Sequence, residues 1–132
     1  MDTIVVSHIA KSFGKTQAVR DVSFNVHPGE IFGLLGPNGS GKTTSIRMLL
    51  DIYQPDHGSI EILGGPMDAD KLNKIGYLPE ERGLYQDIEV ARCLTYLGTL
   101  KGMTKEQIAE LLPLWLERFD LTQHQKKKNK EL

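Results

Sequence analysis

Gly36–Thr44 reads GPNGSGKTT, and the order of glycine, lysine and hydroxyl residues in it decides the fold. Gly36, Gly41, Lys42 and Thr43 fill the pattern G-x-x-x-x-G-K-[ST], and Thr44 adds a second hydroxyl. Gly39 and Gly41 can take backbone angles barred to other residues, so successive N–H groups turn inward and make a nest for anionic oxygens. Pro37, Asn38 and Ser40 complete the loop. The segment that follows, KTTSIRMLLDIY, places Ile46, Leu49, Leu50 and Tyr53 at helical spacing. A helix opening there adds unsatisfied N–H donors and a partial positive charge at the same point. Lys42 supplies a mobile charge for β- and γ-phosphates, Thr43 can ligate Mg²⁺, and Thr44 reaches the α-phosphate.

Outward from the loop, EIFGLLG is nearly continuous apolar, as suits a central strand of a parallel sheet buried on both faces. Before it, TIVVSHIAKSF and QAVRDVSFNV read as strands split by GK and HPGE turns. After it, QPDHG stops the helix, GSIEILGG reads as a strand, a short polar helical stretch follows, and IGYLPE is a third apolar segment closed by proline. From about Glu89 to Leu121 the pattern is helical, in EVARCLTYLGTLKG and TKEQIAELLPLWLERFD. Thr104 and Gln107 form a capping box at the start of the second helix. Pro113 should kink or divide that helix, because an interior proline costs about 3 kcal/mol. The final QHQKKKNKEL is expected as a solvated linker without terminating structure.

Composition narrows the function. At 132 residues the chain has room for one domain or part of one. A hydrophobic share of 39%, a charged share of 25% and a formal net charge of -1 imply an ordinary globular protein with no nucleic-acid partner. No apolar run approaches the roughly 20 residues of a membrane-spanning helix, so any membrane role must run through a partner. The amino terminus lacks a secretory pattern, and the chain is expected to stay in the cytoplasm. Cys93 is the single cysteine and reads as a buried helix residue.

KSFGKTQAVRDVSFNVHPGEIFGLLGPNGSGKTTSIRMLL, then PDHGSIEILG, then IGYLPEERGLY, resembles the nucleotide-binding subunit of ATP-binding cassette (ABC) transporters, over nearly the whole chain. The resemblance implies an α/β fold, a P-loop NTPase of the ABC-ATPase type. Such a fold has a parallel core sheet, an N-terminal antiparallel β part and the start of a helical subdomain. Residues 1–85 would form the ATP-binding core and residues 86–132 the start of the helical subdomain. ATP and Mg²⁺ are the implied cofactors. Phe13 matches the aromatic position that stacks on adenine, with a buried strand residue as the plainer reading; Val19 either lines the same pocket or is buried in its strand. Glu80 falls where most of the family carry a glutamine that touches Mg²⁺ and senses the γ-phosphate, so it is both a metal and a catalytic candidate beside Lys42. LPEERGLY resembles a recurring variant among exporters of this family, with Glu81 and Arg82 readable as solvated surface residues.

The same resemblance implies a membrane permease partner, a second ATP-binding subunit, and a place on the inner face of the cell membrane, reached through the permease. Residues 83–92 are the expected partner contact. Hydrolysis further requires a glycine-rich signature, a second metal carboxylate after four apolar residues and a switch histidine, and none of them occurs in the chain. Asp51 in RMLLD only imitates the carboxylate motif, and His8, His27, His57 and His124 have no ligand spacing. The chain therefore reads as the N-terminal portion of an export ATPase, inactive by itself. Its rivals are a soluble ABC-type ATPase of translation or repair and a non-catalytic nucleotide binder.

Overall fold

The structure is a computed structural model that describes residues 2–79 and 85–132. It comprises two compact units, residues 1–75 and residues 76–132. Glu80, Glu81 and Arg82, and the readings made for them, lie outside the described residues.

In the first unit, β1 (Ile4–Phe13) lies between β2 (Thr16–Val26) and β3 (His57–Ile62), and both pairings are antiparallel. Gly14 and Lys15 close the β1–β2 hairpin, with Gly14 at φ 58°. Strict alternation would send Val6 and His8 to the same face. A register shift between Val6 and Ile9 in the β1–β2 pairing, with His8 at φ 50°, turns Ile9 inward instead. His8 is thereby left to bond outward, from its N–H to Ser23 Oγ at 2.8 Å and through Nδ1 to Asp21 at 3.0 Å. Opposite this bulge a Cβ on Gly58 would stand 2.3 Å from the His8 carbonyl oxygen, so the close strand approach requires glycine.

α1 (Lys42–Leu49) covers this sheet through Met48, which joins Val6, Ile9 and Val19 in the core, with Leu49 and Tyr53 packed against it. Beyond β3, α2 (Ala69–Asn73) is capped by Asp68, whose carboxylate accepts from Lys71 N–H at 2.8 Å.

The expected central strand EIFGLLG is not a strand here. Residues 30–36 join no ladder, Ile31 is 100% exposed and Leu35 93% exposed, while Phe32 stacks on Phe24 at 4.9 Å. IGYLPE likewise forms no strand where it is described, and Leu78 is exposed. A parallel strand needs ladder partners and a layer on each face. Among the described residues the three strands pair only antiparallel, and none of them supplies either segment with a partner. The antiparallel part of the expected architecture is formed, whereas its parallel core sheet is not assembled by these residues.

The second unit packs α3 (Val90–Leu100) on α4 (Lys105–Arg118). Gly98 permits the approach, since a Cβ there would already meet Ile108 and Met103 at 3.3 Å. The capping box is formed: Thr104 Oγ1 accepts from Gln107 N–H at 3.3 Å, and Gln107 Oε1 accepts from Thr104 N–H at 2.9 Å. α4 runs undivided through Pro113, which faces solvent. Cys93 is buried in α3, as expected.

The lysine-rich tail is not a free linker. Val90 N–H donates to Lys127 O and Ala91 N–H to Gln125 O, both at 3.0 Å, Asn129 N–H donates to Ile88 O at 3.1 Å, and Lys130 Nζ reaches Asp87 at 2.6 Å. The side-chain pair holds the Asp87 carboxyl below, and the Lys130 ammonium above, their ordinary pKa ranges.

Candidate functional site

The loop from Gly36 to Gly41 runs directly into α1. Gly39 and Gly41 both have positive φ, at 80° and 93°, and Gly41 is the N-cap of α1. Gly41 offers no side-chain cap, so among the described residues the first-turn N–H groups that a helix cannot satisfy internally have no side-chain partner. Gly41 also rests on the sheet: a Cβ there would stand 2.4 Å from the Ala18 carbonyl oxygen and 3.0 Å from Val19 Cγ2. β2 is thus the floor of the loop. At the other end, a Cβ on Gly36 would meet Ser40 Oγ at 2.6 Å.

Lys42 folds back over the loop, its ammonium donating to the carbonyls of Gly36 at 2.6 Å and Pro37 at 2.8 Å. Ser40 N–H donates to Pro37 O at 3.2 Å, which closes the turn, and Ser45 N–H donates to Gly41 O at 2.8 Å, the first bond of the helix. Thr43 is exposed at the helix start and Thr44 partly so. A positive charge held, among the described residues, by two neutral carbonyls, beside a helix start with no side-chain cap, can exchange those carbonyls for anionic oxygens without rebuilding the loop. The donor set also suits Mg²⁺, which takes one or two protein oxygens and completes its shell from phosphates and water; Thr43 Oγ1 is the oxygen available. Among the described residues no cluster of three His, Cys, Asp or Glu side chains could hold a metal alone.

Phe13 stands at the tip of β1, 44% exposed, and meets Tyr53 edge-on at 5.1 Å and 69°. Val19 pairs with Lys11 across the β1–β2 ladder, so Phe13 lies two residues beyond the partner of the residue on which Gly41 rests. Val19 itself is 3% exposed and packs in the core. Its place is under the loop.

Two residues of this region were read in the sequence only as a helix stop and a helix position. Asp56, in the QPDHG turn, accepts from Ser12 N–H at 2.7 Å and from Lys11 Nζ at 2.7 Å. Lys11 chiefly, then the Ser12 N–H, holds the Asp56 carboxyl below its ordinary range, with a smaller contribution from His57. Tyr53 lies past the end of α1, just before that turn. An Asp in a Pro-Asp turn is the only sequence signal for such a bond, and it does not name the partner. Asp51 lies at the far end of α1 from the loop, bonded to Gln54.

The model of the ABC transporter family matches residues 19–132. An uncharacterized ABC transporter ATP-binding protein of Bacillus subtilis, YhaQ, is 45% identical over 129 residues, which are 98% of this chain and 43% of that protein. Nod factor export ATP-binding protein I of a Rhizobium species is 42% identical over 117 residues, 86% of this chain and 38% of that protein. The chain thus spans less than half the length of these curated relatives. Among solved structures, an ATP-binding subunit of an ABC transporter superposes with a TM-score of 0.79 at 26% identity, over 96% of this chain and 54% of that one. CbiO1 of Clostridium perfringens shares the fold with a TM-score of 0.78 at 21% identity, over 96% and 54% of the two chains.

Proposed function

The chain belongs to the ABC transporter ATP-binding family, and from that premise we propose that it binds Mg-ATP through the loop 36–44 and serves an export ATPase. The observation that carries this reading is the Lys42 ammonium, held by the Gly36 and Pro37 carbonyls over a helix start with no side-chain cap. When ATP arrives, Lys42 turns from those carbonyls to the β- and γ-phosphates. The N–H groups of the loop Gly36, Pro37, Asn38, Gly39, Ser40, Gly41, excepting Pro37, which has none, and of Lys42, Thr43 and Thr44 supply the donors. Phe13 stacks on the base, and Val19 supports Gly41 from below. Thr43 holds Mg²⁺, which offsets phosphate charge when bound. Glu80 is the second metal contact of this reading and the sensor of the γ-phosphate.

Similarity to the Nod factor export proteins supports export as the direction. The working unit is then a pair of ATP-binding subunits on a separate permease, at the inner face of the membrane. No helix among the described residues is long and apolar enough to cross a membrane.

Calorimetric titration of ATP and AMP into the chain and its Lys42→Ala variant tests the site. Loss of the ammonium weakens ATP by about 1.5 to 3 kcal/mol, the range for charged hydrogen bonds, and leaves AMP nearly unchanged. Equal losses for the two nucleotides would remove Lys42 from the β- and γ-phosphates.

A further inference from the structure

We propose that Asp56 is a positioning residue for the base-stacking platform, its carboxylate latching the end of β1 so that Phe13 is presented in one fixed orientation. The inference rests on the reading of Phe13 as that platform. The β1–β3 ladder ends at the Ala10–His57 pair, and Phe13 lies three residues further along β1. On that edge Asp56 takes over. Its N–H donates to Ala10 O at 2.8 Å, and its carboxylate accepts from Ser12 N–H and Lys11 Nζ, both at 2.7 Å. A side chain thereby continues the ladder that the strand no longer provides. On the other edge Phe13 pairs with Thr16 across the hairpin, after register shifts at Ile9, Lys11 and Ser12 that loosen the β1–β2 ladder there.

The latch acts on the ring as well as on the backbone. Lys11 Nζ lies 5.8 Å from the Phe13 centroid while bound to Asp56, so the carboxylate fixes the ammonium against the ring. Tyr53, which meets the ring edge, lies three residues before Asp56, at the start of the segment that leads into its turn. Lys11 is only 17% exposed and is largely committed to this contact. Without the carboxylate, Ser12 N–H and Lys11 both turn to water, and the aromatic must be ordered at the moment of binding, which weakens it as a platform.

The test uses the 132-residue chain with Asp56→Ala, Asp56→Asn and Phe13→Ala. Ligands are ATP and inorganic tripolyphosphate, which carries the phosphates without a base. Asp56→Ala is expected to weaken ATP about fivefold, a part of what stacking contributes, and to leave tripolyphosphate unchanged. Combined with Phe13→Ala it adds nothing further. Without ligand, amide exchange at Ser12 rises at least about tenfold while Val6 and Ile9 keep their protection, as expected of a local opening. Asp56→Asn, which keeps an acceptor for Ser12, restores part of the protection and part of the ATP affinity. Equal weakening of ATP and tripolyphosphate, full additivity with Phe13→Ala, or unchanged exchange at Ser12 each overturns the latch. Unchanged ATP affinity in Phe13→Ala alone overturns the platform reading and the latch with it, and the exchange result then still reports whether Asp56 holds the strand.

Discussion

Gly41 carries two constraints at once, and they are separable by substitution. Its φ of 93° strains any residue with a Cβ, and the Ala18 carbonyl oxygen lies 2.4 Å from where that Cβ would be. Gly39 shares the first constraint, at φ 80°, but has nothing within 4 Å. Gly41→Ala is therefore expected to destabilise the first unit by about 2 kcal/mol or more, and Gly39→Ala by about 1 kcal/mol, in urea unfolding. If the two cost the same, the loop does not rest on β2. Lys42 likewise has two parts on the proposed reading, since its ammonium closes the loop through the Gly36 and Pro37 carbonyls and would exchange them for phosphate.

At the scale of elements, α1, α3 and α4 end in one way. In each, the residue after the C-cap has positive φ, and the two following N–H groups close on the last turn: Asp51 and Ile52 on Met48 and Arg47, Gly102 and Met103 on Thr99 and Gly98, Asp120 and Leu121 on Glu117 and Leu116. This is the Schellman arrangement, and glycine fills it only in α3. Asp120, at φ 55°, bears a strain that glycine would not. Asp120→Gly is expected to raise stability by about 0.5 kcal/mol, the relief of strain exceeding the added freedom of the unfolded chain, and Gly102→Ala to lower it by about 1 kcal/mol. Thermal melts of both variants check the signs, and a loss in Asp120→Gly would mean that its carboxylate does more than tolerate the turn.

For the whole molecule, the exposed apolar residues define what is missing from its packing. Ile31 and Leu35 precede the loop in the first unit, and Leu114 and Trp115 on α4 and Phe119 at its C-cap are exposed in the second, Phe119 by 65%. Surfaces of this kind are expected to associate, so purified residues 1–132 should sediment as dimers or larger species, and Ile31→Asp should shift them toward monomer. No Asp-Glu pair occurs in the 132 residues, and a loop that held phosphate would not by itself place an attacking water. Phosphate release should accordingly stay at background. A monomer with turnover abolished by Lys42→Ala would place a catalytic carboxylate among the residues described here as structural.

The glycine-rich turn, the helix after it, the N-terminal hairpin and the Thr104 cap were all legible in the sequence, because each depends on residues within a few positions of one another. GPNGSGKTT specifies its own backbone, and a capping box is a contact between neighbours in the chain. What tertiary structure decided lies in long-range pairing. EIFGLLG has the composition of a buried strand, yet a strand exists only with partners, and composition does not provide them. KKKNK is charged enough to be a solvated tail, yet its backbone closes on Ile88–Ala91 through hydrogen bonds that no side-chain pattern announces. Asp56 binds residues 44 and 45 positions away, and that distance is why the sequence showed a turn where the fold has a latch.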